Sequence, residues 1–106
     1  THSNMEDNML AAARLGWTPG ELTGIRPEHL DVLPTAEHGM SWSVTVDAVE
    51  LLGAERLVYA RLNGESLIVR MAEDRMAPSP GDTIHIKPRP DRLHRFDAAT
   101  GQRIDA

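Results

Sequence analysis

The run "RLVYARLNGESLIVRM", residues 56–71, leaves the backbone fewest choices. Two apolar-rich arms flank Asn63-Gly64, the pair favoured where a tight turn needs positive φ at both central positions, since Gly lacks a Cβ and Asn tolerates the left-handed region. The segment predicts a type I′ β-hairpin. In its second arm Leu67, Val69 and Met71 fall on one face while Ile68 and Arg70 take the other, the alternation of a half-buried strand.

The neighbouring segments read the same way. "SWSVTVDAVELL", residues 41–52, sets Trp42, Val44 and Val46 on one face and then changes phase so that Val49 and Leu51 continue it. The change near Asp47 and Ala48 predicts a β-bulge, a device that bends strands in small barrels. In "MAPSPGD" Pro78 and Pro80 cannot serve a central ladder, and Gly81-Asp82 turns the chain into "TIHIK". There Ile84 and Ile86 face one way, and Thr83, His85 and Lys87 the other. Pro88 and Pro90 close that strand, and "RLHRF" forms a last short one before the turn "DAATG". About five or six short strands, spaced at near ten residues with little helix, predict a mainly β fold, a small OB-like Greek-key barrel. Ahead of them, "MEDNMLAAARLG" has acids early, alanines and leucine in the middle and Arg14 before Gly16, the pattern of a short N-terminal helix with a glycine stop. Residues 1–4 read as a cloning remnant and take no part in the functional reading.

A chain of 106 residues holds one small domain, too short for a core plus a separate catalytic domain. With Asp+Glu 16 against Lys+Arg 11 the net charge is -5, which repels nucleic-acid phosphates and anionic membrane surfaces. The absence of cysteine excludes disulfides and thiolate chemistry. No segment reaches the roughly 18 apolar residues of a membrane span or has the form of a signal peptide, so a soluble chain is expected; the lack of cysteine leaves the redox compartment undetermined and fits a cytosolic address.

The motifs that hold nucleotides are missing. A P-loop needs closely spaced glycines followed by Lys and Ser/Thr, yet the one lysine, Lys87, stands in "IKPRP", and no G-x-G-x-x-G occurs. The five histidines, His2, His29, His38, His85 and His94, form no H-x-x-x-H or H-E-x-x-H pair, so isolated hydrogen-bonded imidazoles are expected rather than a metal site. Glu50 with Glu55, and Glu73 with Asp74, are acidic pairs beside turns, where charged side chains are usually solvated. Ser41, Ser43 and Ser66 lack a G-x-S-x-G context. No catalytic, cofactor-binding or metal-ligating residue is therefore assigned.

Two stretches remain. "HIKPRPDRLHR", residues 85–95, is the one basic run, and His85, Lys87, Arg89, Arg92, His94 and Arg95 form a candidate interface or effector surface. Single-strand nucleic-acid binding would need aromatic platforms beside the charges, and only Phe96 adjoins them. In "GIRPEHL", residues 24–30, Pro27 pushes Arg26 into the extended region, so a strand should end there. Residues two apart on an extended chain share a face, which makes Arg26 and Glu28 a candidate structural pair and sets His29 on the opposite side.

"GIRPEHL", then "VDAVELLGAERLVYARLNGESLIVRM", then "PSPGDTIHIKPRPDRLHRFDAATGQRI" together resemble the C-terminal regulatory region, the transport-associated OB (TOBE) domain, of ATP-binding subunits from ABC importers for sugars and glycerol phosphates. The resemblance covers residues 23–104. "LGAE", "GD" before a strand and "LHRFDAATGQRI" look most like the sn-glycerol-3-phosphate type. It implies residues 1–22 as an N-terminal arm, partly cloning remnant or helical, and 23–106 as the TOBE/OB-like regulatory domain. It further implies a parent importer ATPase whose nucleotide-binding domain, outside this chain, holds ATP and Mg2+. That parent would sit on the cytoplasmic face of the cell membrane. Its implied partners are a second copy of itself, the membrane permease subunits through the nucleotide-binding domain, and a regulatory protein, with no nucleic acid. The family usually has further strands before "GIRPEH", where this chain has "MEDNMLAAARLGW"; either those strands are cut away or this segment replaces them, and an open edge could pair with a second copy. A small-ligand module that holds an oxyanion or effector is the alternative, an OB-type nucleic-acid binder a more distant one.

Overall fold

The computed structural model describes residues 8–36, 39, 41–73 and 75–104. The structure is mainly β, with two antiparallel sheets and short 3-10 turns between strands. The larger sheet is built on a meander of β4 (Trp42–Leu52), β5 (Glu55–Leu62) and β6 (Glu65–Ala72). On the other side of β4 lies β7 (Thr83–Pro88), followed by β3 (Leu30–Leu33), so the order is β3-β7-β4-β5-β6. The smaller sheet has β2 (Glu21–Ile25) between β1 (Asn8–Ala11) and β8 (His94–Asp97). Such an architecture is OB-like, with one core shared by the two sheets.

Local chemistry accounts for the shape of the larger sheet. Asn63 (φ 51) and Gly64 (φ 85) both lie in the left-handed region, so the β5–β6 turn has the geometry their residue types favour. The register of β4 against β5 steps from Val46↔Ala60 to Ala48↔Tyr59, which leaves Asp47 as the extra residue of a bulge. Ahead of the bulge Trp42, Val44 and Val46 are buried. Beyond it Leu51 is 71% exposed, because the end of the β4–β5 hairpin runs past the core, so the apolar face does not continue that far.

Leu10 and Ile25 from the smaller sheet meet Val46, Val58, Leu67, Val69 and Ile86 from the larger one. Burying each such side chain contributes about 1.5–3 kcal/mol, so this shared cluster is the main force holding the sheets together. Trp17 packs its ring against Trp42, with centroids 6.0 Å apart.

The helix expected near the N-terminus is reduced to one 3-10 turn, Ala12–Leu15, stopped by Gly16 at φ 79. The residues before it extend as β1, because Asn8 and Leu10 are buried and the strand pairs with β2 from Asn8↔Ile25 to Ala11↔Leu22. Tertiary pairing overrides the helical preference of the alanines. β1 also runs along the free edge of β6. The Asn8 amide bonds both backbone groups of Ile68, the Ala11 N–H donates to Glu65 Oε1 at 2.7 Å, and Asn63 Nδ2 donates to the Arg14 carbonyl at 2.8 Å. β1 and the turn after it thus cover that edge. Residues 5–7, with Glu6 and Asp7, lie outside the described residues, as do His2, His38 and Asp74.

Candidate functional site

Leu10, Thr23 and Ile25 point into the core, so the residues between them face outward. On that outer face Met9, Gly24 and His94 are cross-strand neighbours, and Phe96 lies two residues beyond His94 on β8. Gly24 is the centre of the row and has no side chain. A Cβ there would stand 2.8 Å from Phe96 Cε1 and 3.0 Å from Met9 Sδ, closer than such unbonded atoms ordinarily sit. A cavity of about 300 Å³ opens over Gly24, with Met9 and Phe96 as its apolar flanks.

Arginine and histidine side chains reach this cavity from several separate elements. The 3-10 turn Pro27–His29 is closed by the His29 N–H donating to the Arg26 carbonyl at 3.0 Å. With about three residues per turn, Arg26 and His29 come to the same side, and both line the cavity. A second 3-10 turn, Pro90–Arg92, delivers Arg92, and β8 delivers His94. Arg103 arrives by a longer route. Asp97 Oδ1 accepts from the N–H of Ala99 at 2.8 Å and of Thr100 at 2.9 Å, an Asx-type turn that folds the chain back. The returning segment bridges Arg103 to Phe96, and the Ile104 N–H donates to the Arg95 carbonyl.

The side chains of the basic run at residues 85–95 are divided among several partners. Arg92 and His94 enter the cavity, whereas Arg95 turns to Glu21 in a bidentate pair at 2.8 and 3.0 Å. Arg89 pairs with Asp31 at 2.9 Å, and His85 shares a 2.9 Å hydrogen bond with its cross-strand neighbour Ser43. Lys87 lies opposite Asp31 in the ladder. Arg26 and Glu28 are likewise parted. The chain at Pro27 coils instead of staying extended, so Arg26 lines the Gly24 cavity while Glu28 lines a separate depression with Asp31, Arg70 and Arg75. Of the acidic pairs, Glu50 accepts from the Tyr59 hydroxyl at 2.9 Å and Glu55 lies 3.7 Å from Arg70. Among the described residues no cluster of His, Asp and Glu could hold a metal ion.

Hydrogen bonding sets the nearby charges. The Arg95 guanidinium bonded to Glu21 holds that carboxyl below the usual range, and the Thr100 and Ala99 N–H groups do the same for Asp97. Glu21 and Asp97 therefore stay ionised beside β8, and each is engaged away from the cavity. Among the described residues that line it there is no carboxylate. What the cavity offers is the guanidinium groups of Arg26, Arg92 and Arg103 beside the apolar Met9 and Phe96, equipment suited to holding an anion.

Gly24, Met9 and Arg103 were not among the candidates read from the sequence. Pro27 as the first residue of a turn was a signal for the coil that joins Arg26 to His29. "DAATG" marked a reversal after β8, from which the return of Arg103 onto that strand could have been inferred.

The model of the TOBE domain family matches residues 23–96. The chain is 42% identical over 82 residues to the sn-glycerol-3-phosphate import ATP-binding protein UgpC of Chromobacterium violaceum, covering 77% of this chain and 21% of that protein. Against the protein of the same name from Cupriavidus pinatubonensis it is 40% identical over 85 residues, 80% of this chain and 22% of the relative. For that of Escherichia coli K12 the identity is 38% over 81 residues, with 76% and 22% covered. The chain spans about a fifth of the length of these relatives.

Proposed function

The chain belongs to the TOBE domain family, and on that basis we propose that it is the regulatory and dimerisation domain of the ATP-binding subunit of an ABC importer, with sn-glycerol-3-phosphate or a related sugar as cargo. The observation that carries this reading is the family match over residues 23–96 together with relatives named as import ATP-binding proteins. In this reading ATP and Mg2+ are held and hydrolysed by a nucleotide-binding domain of the parent, which also contacts the permease subunits. The parent works on the cytoplasmic face of the membrane. Among the described residues no helix is long and apolar enough to cross a membrane.

The domain's own part is mechanical. A two-sheet body with one shared core moves as a unit, so contacts between two copies can hold a pair of ATPase subunits together while their nucleotide sites open and close. The faces for self-association are an uncovered strand edge or the residue 85–95 side; β6 is excluded because β1 lies along it. Light scattering over a wide concentration range tests this. A mass that rises to twice that of one chain is expected, and a constant monomer mass would refute the dimerisation role. The same protein should show no ATP hydrolysis above buffer.

A further inference from the structure

We propose that the cavity over Gly24 is a binding site for a small phosphate monoester, with the phosphate among the arginine and histidine side chains and the carbon body against Met9 and Phe96. The first support is convergence. In a chain of net charge -5, Arg26, His29, Arg92, His94 and Arg103 are gathered round one cavity from two turns, a strand and a returning segment. The guanidinium groups of Arg26, Arg92 and Arg103 bring charge-assisted donors to one place, the kind of group that recognises a phosphate dianion. Arg26, His94 and Arg103 each engage a further group as well, so an incoming phosphate would share or exchange those contacts.

The second support is selectivity among anions. Among the described acids nearby, Glu21 is turned onto Arg95 and Asp31 onto Arg89, while Asp91 lies 3.9 Å from Arg92. The floor is apolar, and it exists because position 24 has no side chain: a larger residue would meet Phe96 and Met9 and fill the space. A cationic rim over an apolar floor matches an ester, which has a charged head and a carbon body, better than a bare inorganic ion. A volume near 300 Å³ lies at the small end of ligand sites, about 300–1,000 Å³, which favours a short phosphorylated metabolite over a nucleotide. The proposal rests on the regulatory-domain reading only for what the occupant would do. Binding is measured on this chain alone, so either idea can fail without the other.

The test is an NMR titration of the full 106-residue chain with sn-glycerol-3-phosphate, inorganic phosphate and glycerol. Saturable shifts at Gly24, His94 and Phe96 are expected with the ester, binding at least threefold weaker with inorganic phosphate, and none with glycerol. Arg92→Ala, at an exposed side chain, should weaken ester binding about tenfold or more with the spectrum otherwise native, as should Gly24→Val if it folds. Arg95→Ala, outside the cavity, should leave it unchanged. The proposal is overturned by no saturable shift at millimolar ester, by equal binding of inorganic phosphate, or by full affinity in Arg92→Ala.

Discussion

The Asn8 side-chain amide donates to the Ile68 carbonyl and accepts from the Ile68 N–H, both at 2.7 Å, across 60 residues of sequence. It imitates a strand neighbour. Asn8 is only 4% exposed, and it satisfies two backbone groups that the free edge of β6 would otherwise leave without protein partners.

Asn8→Ala should therefore lower stability by about 1–3 kcal/mol, the cost of unsatisfied part-buried backbone groups, and speed hydrogen exchange at Ile68. Asn8→Asp should also destabilise, since a carboxylate can accept from Ile68 N–H but cannot donate to its carbonyl. Urea unfolding and amide exchange measure both. Wild-type protection of Ile68 in Asn8→Ala would show that β1 closes the edge by other means.

Gly24 makes a second, opposite prediction. Alanine gains about 0.5–1 kcal/mol over glycine in a strand, while its methyl presses on the Phe96 ring and the Met9 sulfur, so Gly24→Ala should leave stability within about 1 kcal/mol and shift the Phe96 resonances. Gly24→Val should cost about 1–3 kcal/mol by overpacking. An unchanged Phe96 spectrum in Gly24→Ala would mean that the ring does not close on position 24.

Acid should unpick the last turn. The folded Asp97 carboxyl lies below its unfolded value, so it adds stability that is present at neutral pH and is lost as pH falls through the folded pKa. Asp97→Ala should be less stable than wild type at neutral pH, with the gap shrinking well below pH ~4, where both states of the wild-type group become protonated. Glu21, held by Arg95, adds a loss of the same sign. Urea midpoints across pH measure the gap; a gap independent of pH would rule out the Asp97 carboxylate as the cause.

Contacts close in sequence were legible. Asn63-Gly64 set a hairpin, the phase change at Asp47 set a bulge, and Leu67, Val69 and Met71 buried as their spacing implied. What escaped depends on long-range pairing. Nothing near Asn8 indicates Ile68, so alanine-rich residues that favour helix alone became a strand with a single turn after it. The candidate site was half legible. Arg92 and His94 were singled out, but strand geometry was assumed at Pro27, and the 3-10 turn there sends Arg26 toward His29 and away from Glu28. The cavity itself comes from a missing side chain, which no list of reactive residues would include.

We propose that this domain regulates an importer whose ATP is held elsewhere in the parent subunit. The most direct measurement is uptake of radiolabelled sn-glycerol-3-phosphate by cells whose importer ATP-binding subunit carries this chain, against cells in which residues 8–104 are deleted from it, with ATP binding by the purified subunit checked in parallel. Deletion should weaken or deregulate uptake while ATP binding persists; uptake unchanged in rate and in regulation would overturn the proposal.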